Sequence, residues 1–209
     1  MVLQSETVGR LLRAVRCYEG KPRSTAKYML RLAPMVFLRS SELRTLLWSD
    51  VDLDAATIVI PAERMKMGFP HVVPLARQAV RLLRDVHKIT GSGRYVFTAG
   101  RGDKPFSYGI FYVMLTSMGF GRVVTPHSFR VLASTWLNAQ GWRADVIERQ
   151  LSHLGGDRTR RLYNRAEYLP ERREMMQVWA DELERYEYNA ATVAKRNGYT
   201  VAALARQGG

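Results

Sequence analysis

The sequence predicts a mainly α-helical chain with one small antiparallel β-sheet, an α+β fold. Two observations carry this reading. Apolar residues recur at three- and four-residue spacing along most of the 209 residues. Between Val51 and Leu75 that period gives way to short β-branched runs parted by turn residues. A chain of this length can bury a good core as one domain, and it shows no internal repeat.

Residues 5–17 and 24–38 read as two helices, split by the turn Gly20-Lys21-Pro22. Ser40 or Ser41 can cap a short helix from Glu42 to Trp48. Val51-Asp52-Leu53, Thr57 to Ile60 and His71 to Leu75 read as strands, the last two joined by Ala62 to Phe69. Leu75, Ala79, Leu82, Val86 and Ile89 mark one face of a helix ending at Gly91. Tyr95 to Phe97 is an extended segment, and Ser107 a cap for a helix burying Ile110, Phe111, Met114, Leu115 and Met118. Thr125-Pro126 opens a helix, a capping hydroxyl followed by proline in the first turn, and Gly141 suits its end. Another helix spans Ala144 to Leu151 and is stopped by Gly155-Gly156. The last begins at Pro170 and carries Met175, Trp179, Leu183 and Tyr186 on one stripe. Residues 187–209, rich in Ala and Gly, are weakly patterned, so they are expected to form a tail to a domain spanning 1–186.

Apolar residues make up 46% and charged residues 24%, the balance of an ordinary globular protein. No apolar run approaches the ~20 residues that span a bilayer, and the N-terminus lacks the pattern of a signal peptide. Cys17 is alone and no Cys/His cluster has zinc-ligand spacing, so the expectation is a reduced, cytoplasmic protein without membrane, metal or cofactor. Lys and Arg number 32 against 19 acids, a net charge of +13. A polyanion, nucleic acid above all, is the simplest partner for such an excess. A basic enzyme from an arginine-favouring genome would show the same balance, since Arg outnumbers Lys 26 to 6.

A few positions carry chemistry when read together. Arg39, in Leu38-Arg39-Ser40-Ser41-Glu42-Leu43, stands just ahead of a helix N-terminus, where free backbone N–H groups already favour an anion. Alone, Arg39 and Glu42 read as a surface ion pair. Lys66 lies on the strand-joining turn near Arg64, where an ammonium is a movable point charge and proton donor; alone, it is an exposed turn lysine. His127 and Arg130, in Thr125-Pro126-His127-Ser128-Phe129-Arg130, share a helix face and can bind two oxygens of one phosphate. The bland alternative is a capping histidine beside a solvated arginine. His153, in Leu151-Ser152-His153-Leu154, sits at a helix end. Ten residues later comes Tyr163, among Arg158, Arg160, Arg161 and Arg165. Phenol, with a pKa of ~10, is a poor nucleophile at neutral pH, and surrounding guanidiniums stabilise phenolate and attract DNA phosphate. A lone tyrosine on a charged helix is otherwise a core residue.

In this order, R-x-x-E, K on a hairpin, H-x-x-R, L-x-H, then Y, the positions resemble the tyrosine recombinases, the phage-integrase family. The likeness is greatest to integrases of satellite phages and genomic islands. It extends to Pro61-Ala62-Glu63-Arg64-Met65-Lys66 with His71-Val72-Val73-Pro74-Leu75, and to Ile147-Glu148-Arg149-Gln150-Leu151-Ser152-His153. Tyr163-Asn164-Arg165-Ala166-Glu167-Tyr168, Glu171 to Met176 and Trp179-Ala180-Asp181 resemble the stretch that holds the nucleophile. The resemblance covers about residues 8–186. Val36-Phe37-Leu38 lacks the glycine or threonine that many relatives carry there, and Ser128 stands where close relatives often have glycine.

The resemblance implies the tyrosine recombinase catalytic-domain fold and a site-specific recombinase acting on double-stranded attachment-site DNA. Tyr163 would attack a backbone phosphate to leave a 3′-phosphotyrosine, without metal or ATP. Arg39 and Arg130 would neutralise the phosphate oxygens, His127 and His153 would complete the contacts, Lys66 would protonate the leaving 5′-oxygen, and Glu42 would orient Arg39 or a neighbouring group. Arg64, Arg158, Arg160, Arg161 and Arg165 are expected DNA contacts. Further implications are a homotetramer on DNA, accessory bending or directionality factors, nucleoid association, and a tail that is mobile, folded back on its own domain or exchanged between protomers. Full-length relatives carry core-binding and arm-binding domains ahead of this one, and the expectation is a chain without them. Two other readings stay open, relaxation of DNA in the manner of a type IB topoisomerase and an inactive DNA-binding prophage remnant.

Overall fold

The computed structural model describes residues 4–18, 25–66, 68–99, 103–121, 123–153 and 168–196. In chain order these form helices α1 (Ser5–Arg16), α2 (Ala26–Val36) and α3 (Ser40–Arg44), then strands β1 (Val51–Asp52), β2 (Thr57–Ile60) and β3 (His71–Pro74). Helices α4 (Arg77–Thr90), α5 (Ile110–Ser117), α6 (Pro126–Ala139), α7 (Ala144–Gln150) and α8 (Leu169–Arg196) follow. Short 3-10 turns at Trp48–Asp50 and Ala62–Arg64 flank the first two strands. The chain is therefore mainly helical with one small antiparallel sheet, in the order β1-β2-β3.

Alternation along the strands sets the sheet's inner face. Ile58 and Ile60 pair directly with Val73 and His71, and all four are buried, whereas Val59 is exposed. A histidine thus occupies a place that the pattern of β2 reserves for the core. Helix α8 is the spine of the helical part. Met175, Met176, Trp179, Leu183 and Tyr186 are buried along it, as their spacing predicts.

Helix α8 lies against α1, and Gly9 permits the approach. A Cβ at Gly9 would come within 2.3 Å of the Tyr186 carbonyl oxygen, so any other residue there would force the helices apart. Arg16 of α1 pairs with Glu187 at 3.0 Å, and Ala190 is buried one turn further on. The helix consequently runs ten residues beyond Tyr186, where the sequence suggested a tail. Residues 197–209 lie outside the described part.

Other differences have local causes. Helix α3 ends at Arg44 rather than Trp48, because Leu47 forms an antiparallel bridge to Tyr95 and the Trp48 N–H donates to the Arg94 carbonyl at 3.0 Å. That bridge is all the pairing made by the 95–97 segment among the described strands. On α4 it is Thr90, not Ile89, that turns inward; its hydroxyl donates to the Val96 carbonyl at 2.8 Å, leaving Ile89 exposed. Among the described residues no helix is long and apolar enough to cross a membrane.

Candidate active site

The N-terminus of α3 is built around Arg39. Its backbone N–H donates to Glu42 Oε2 at 2.8 Å and its Nη1 donates to Glu42 Oε1 at 2.8 Å. One buried carboxylate therefore closes the first helical turn and fixes the guanidinium. Nη2 also reaches the Ser152 carbonyl at 3.4 Å. The Arg39 side chain keeps 29% of its surface, enough to meet an anion from outside.

Arg130 enters from α6. Thr125 and Ser128 cap that helix reciprocally, the Ser128 N–H donating to Thr125 Oγ1 at 3.2 Å and the Thr125 N–H to Ser128 Oγ at 3.0 Å. This fixes the first turn that carries His127 and Arg130. The Arg130 side chain is buried; it donates to the carbonyls of Phe37 and Leu151, the latter at 2.6 Å. Burial, and then the nearby Arg39 charge, pull its pKa down to about 10, so it still carries its charge at neutral pH.

Arg130 Nη2 lies 3.1 Å from His153 Nε2, while His153 Nδ1 lies 3.0 Å from Glu148 Oε2. A guanidinium can only donate, so Nε2 accepts and Nδ1 carries the proton toward the carboxylate. Glu148 thereby sets the tautomer of His153. His127 is exposed, and it lines one cleft with Arg130, Glu148 and His153. Arg130 and His153 are thus in contact, His127 lines the same cleft, and Arg39 binds the Ser152 carbonyl beside them.

Lys66 is exposed on the β2–β3 connection and makes no hydrogen bond or ion pair among the described residues. Arg64 is partly exposed and bound within the protein. It binds both oxygens of Asp50 at 2.8 and 2.6 Å and the Thr45 carbonyl at 2.8 Å, which ties the hairpin to the end of α3. Tyr163, Arg158, Arg160, Arg161 and Arg165 lie outside the described residues. Tyr168 is half-buried, with the Arg143 guanidinium 5.0 Å from its ring centre.

Sequence reasoning missed three buried polar residues beside this cluster, His71, Gln150 and Arg172. Burial, followed by the charges of Arg172, Arg149, Arg130 and Arg39, lowers His71 to a pKa of about 3. It is a neutral imidazole in a strongly positive region, and both ring nitrogens lack hydrogen-bond partners among the described residues. The visible signal was a polar residue on the buried face of a strand.

The profile of the phage integrase family matches residues 1–169. The prophage integrase IntZ of Escherichia coli (strain K12) is 42% identical over 156 residues, 74% of this chain and 39% of IntZ. The chain therefore spans about two-fifths of that relative's length. Among solved structures, the XerA recombinase aligns with a TM-score of 0.60 at 19% identity, covering 91% of this chain and 63% of XerA. The Tn1549 transposon integrase in complex with circular intermediate DNA aligns with a TM-score of 0.56 at 14% identity, covering 78% of this chain and 59% of the integrase. These two share the fold. With the family profile spanning most of its length, the chain belongs to the phage integrase family, that of the tyrosine recombinases.

Proposed function

We propose that this chain is the catalytic domain of a site-specific DNA recombinase that cuts and rejoins strands through a 3′-phosphotyrosine at Tyr163. The observation that carries the proposal is the meeting of Arg130 and His153 at one cleft, with Arg39 bound to the Ser152 carbonyl next to His153. Two guanidiniums fixed by backbone carbonyls and Glu42 form a preorganised receptor for the non-bridging oxygens of a phosphodiester. They need no reorganisation as negative charge builds up during attack.

In the proposed step the Tyr163 phenol oxygen bonds to phosphorus and the bond from phosphorus to the 5′-oxygen breaks. The phenol proton passes to a base, for which exposed His127 is the candidate, and Lys66 protonates the departing 5′-oxygen. His153, held by Glu148, contacts the phosphate beside Arg130. Attack by a 5′-hydroxyl on the phosphotyrosine reverses the step, so rejoining needs no ATP. Cationic side chains neutralise the phosphate as metal ions do in many nucleases, and the step needs no divalent cation. Arg158, Arg160, Arg161 and Arg165 are proposed as phosphate contacts, and a tetramer on attachment-site DNA as the assembly that exchanges strands.

Incubation with nicked duplex carrying the attachment site tests this reading. A denaturant-stable protein–DNA adduct that forms equally well with excess chelator is expected. Absence of the adduct at saturating DNA, or its strict dependence on Mg²⁺, would show the mechanism to be wrong.

A further inference from the structure

Arg172 and Gln150 are both fully buried. Arg172 lies in the first turn of α8, and its Nε and Nη2 donate to Gln150 Oε1 at 3.0 and 2.8 Å. Its Nη2 also donates to the Val72 carbonyl of β3. Gln150, the last residue of α7, donates from Nε2 to the Val36 carbonyl at 3.3 Å. One buried chain of hydrogen bonds thus joins the end of α2, the end of α7, the outer strand of the sheet and the start of α8.

Two of its anchor points are next to the carbonyls that hold the phosphate receptor. Val36 precedes Phe37, whose carbonyl accepts from Arg130. Gln150 precedes Leu151 and Ser152, whose carbonyls accept from Arg130 and Arg39. Burying a guanidinium is expensive, and an apolar side chain of similar volume often gives equal or better stability. Volume alone does not account for an arginine here.

We infer that Arg172 and Gln150 are positioning residues for strand cleavage, locking the 36–37 and 150–152 backbone stretches so that Arg39 and Arg130 stay in phosphate-binding register. The inference rests on the proposal that this cleft binds the scissile phosphate. Both side chains are fully buried and neither lines the cleft. A shift of the receptor by about 1 Å can cost on the order of 10²-fold in rate, so the effect should appear in turnover far more than in DNA binding.

The test uses the full chain with Arg172→Met, Arg172→Lys and Gln150→Met, each checked for cooperative unfolding. Two quantities are read. One is the adduct-forming rate on nicked duplex at saturating DNA, together with the half-saturation concentration. The other is binding of inorganic phosphate, followed through the ring-proton NMR signals of His127 and His153, which needs no tyrosine chemistry.

Arg172→Met and Gln150→Met should each lower the maximal rate roughly 30-fold or more, with half-saturation moving less than about threefold. Phosphate affinity should fall at least about fivefold, and Arg172→Lys, which keeps a buried donor, should recover part of both losses. If Arg172→Met fails to fold, Gln150→Met carries the test, since it leaves the arginine in place. A folded variant that cleaves within threefold of the parent, or one whose rate and DNA affinity fall together, overturns the inference. If the parent forms no adduct, the cleavage proposal fails by itself, and unchanged phosphate binding in the variants then overturns the positioning role separately.

Discussion

Arg130 donates a hydrogen bond to the carbonyl of Phe37, a buried residue held in the left-handed region at φ 59°. The conformation turns the chain sharply between α2 and Arg39. Side chains other than glycine rarely adopt it, and it persists only where surroundings over-determine it. Here they do. The Phe37 ring stands edge-on to Trp179, with centres 6.3 Å apart, and Trp179 Nε1 donates to the Pro34 carbonyl at 2.7 Å. The aromatic ring thus offsets the strain that aims the Phe37 carbonyl at Arg130, the guanidinium proposed to hold the phosphate.

Phe37→Ala and Phe37→Gly should therefore invert their usual order. Both lose the ring, at a cost of about 3–5 kcal/mol. Alanine also keeps the left-handed penalty of roughly 1–2 kcal/mol, which glycine escapes. Urea unfolding should find the glycine variant the more stable by about 1 kcal/mol. A more stable alanine variant would mean that this φ is not sustained in solution.

His71 makes stability fall in mild acid. In the unfolded chain it takes up a proton near pH 6.5, whereas folded it stays neutral down to about pH 3. Between those values the unfolded state binds the extra proton, so stability is full above about pH 6.5 and drops as pH falls, by about 1.4 kcal/mol per unit. From pH 7 to pH 5 the protein should lose about 2 kcal/mol more than His71→Leu does. The leucine variant should also lose little at pH 7, because the buried ring nitrogens have no partners among the described residues to forfeit. Equal losses in the two proteins would show that His71 is solvated or paired.

Glu42 acts on Arg39 through two bonds, and each should be measurable. Glu42→Ala opens the first turn of α3 and frees the guanidinium, costing about 1 kcal/mol of stability and on the order of 10²-fold in cleavage, similar to Arg39→Ala. Since the two residues act as a unit, the double variant should be little worse than either single one. Losses that multiply would mean that Glu42 has a role of its own.

How much of this was legible beforehand depended on the range of the interaction. The capped start of α6 and the pairing of β2 with β3 follow from neighbours in sequence, as does the stripe on α8, and these were read correctly. The extension of α8 to Arg196 was not, because 187–196 has a weak apolar pattern of its own. It is held through Gly9 and Arg16 of α1, more than 170 residues away. The site divides in the same manner. Arg39, His127, Arg130 and His153 are candidates because of their order along the chain. The carbonyls that hold them, and the Gln150–Arg172 tie behind those carbonyls, join segments about 20 to 110 residues apart. Backbone acceptors have no identity in a sequence, so no residue pattern announces them.

The proposed nucleophile is Tyr163, and Tyr168 gives the sharper control. Its ring is half-buried beside the Arg143 guanidinium, and its carbonyl accepts from the Arg172 N–H at 2.8 Å as α8 begins. Replacing it by phenylalanine keeps the ring and the backbone contact and removes only the hydroxyl. If Tyr168 packs rather than reacts, Tyr168→Phe should form the covalent adduct within about threefold of the parent rate, the ring contact being worth roughly 1 kcal/mol at most. Tyr163→Phe should form none, while its affinity for duplex DNA stays nearly unchanged, because the charges that attract phosphate remain. That affinity should fall steeply as salt rises in all three proteins, as expected where counterion release drives binding by a chain of net charge +13. Digestion of the adduct and mass mapping of the modified peptide then decide between the residues. An adduct that survives in Tyr163→Phe, or a modified peptide centred on Tyr168, would move the nucleophile to the N-terminal edge of α8 and overturn the assignment of Tyr163.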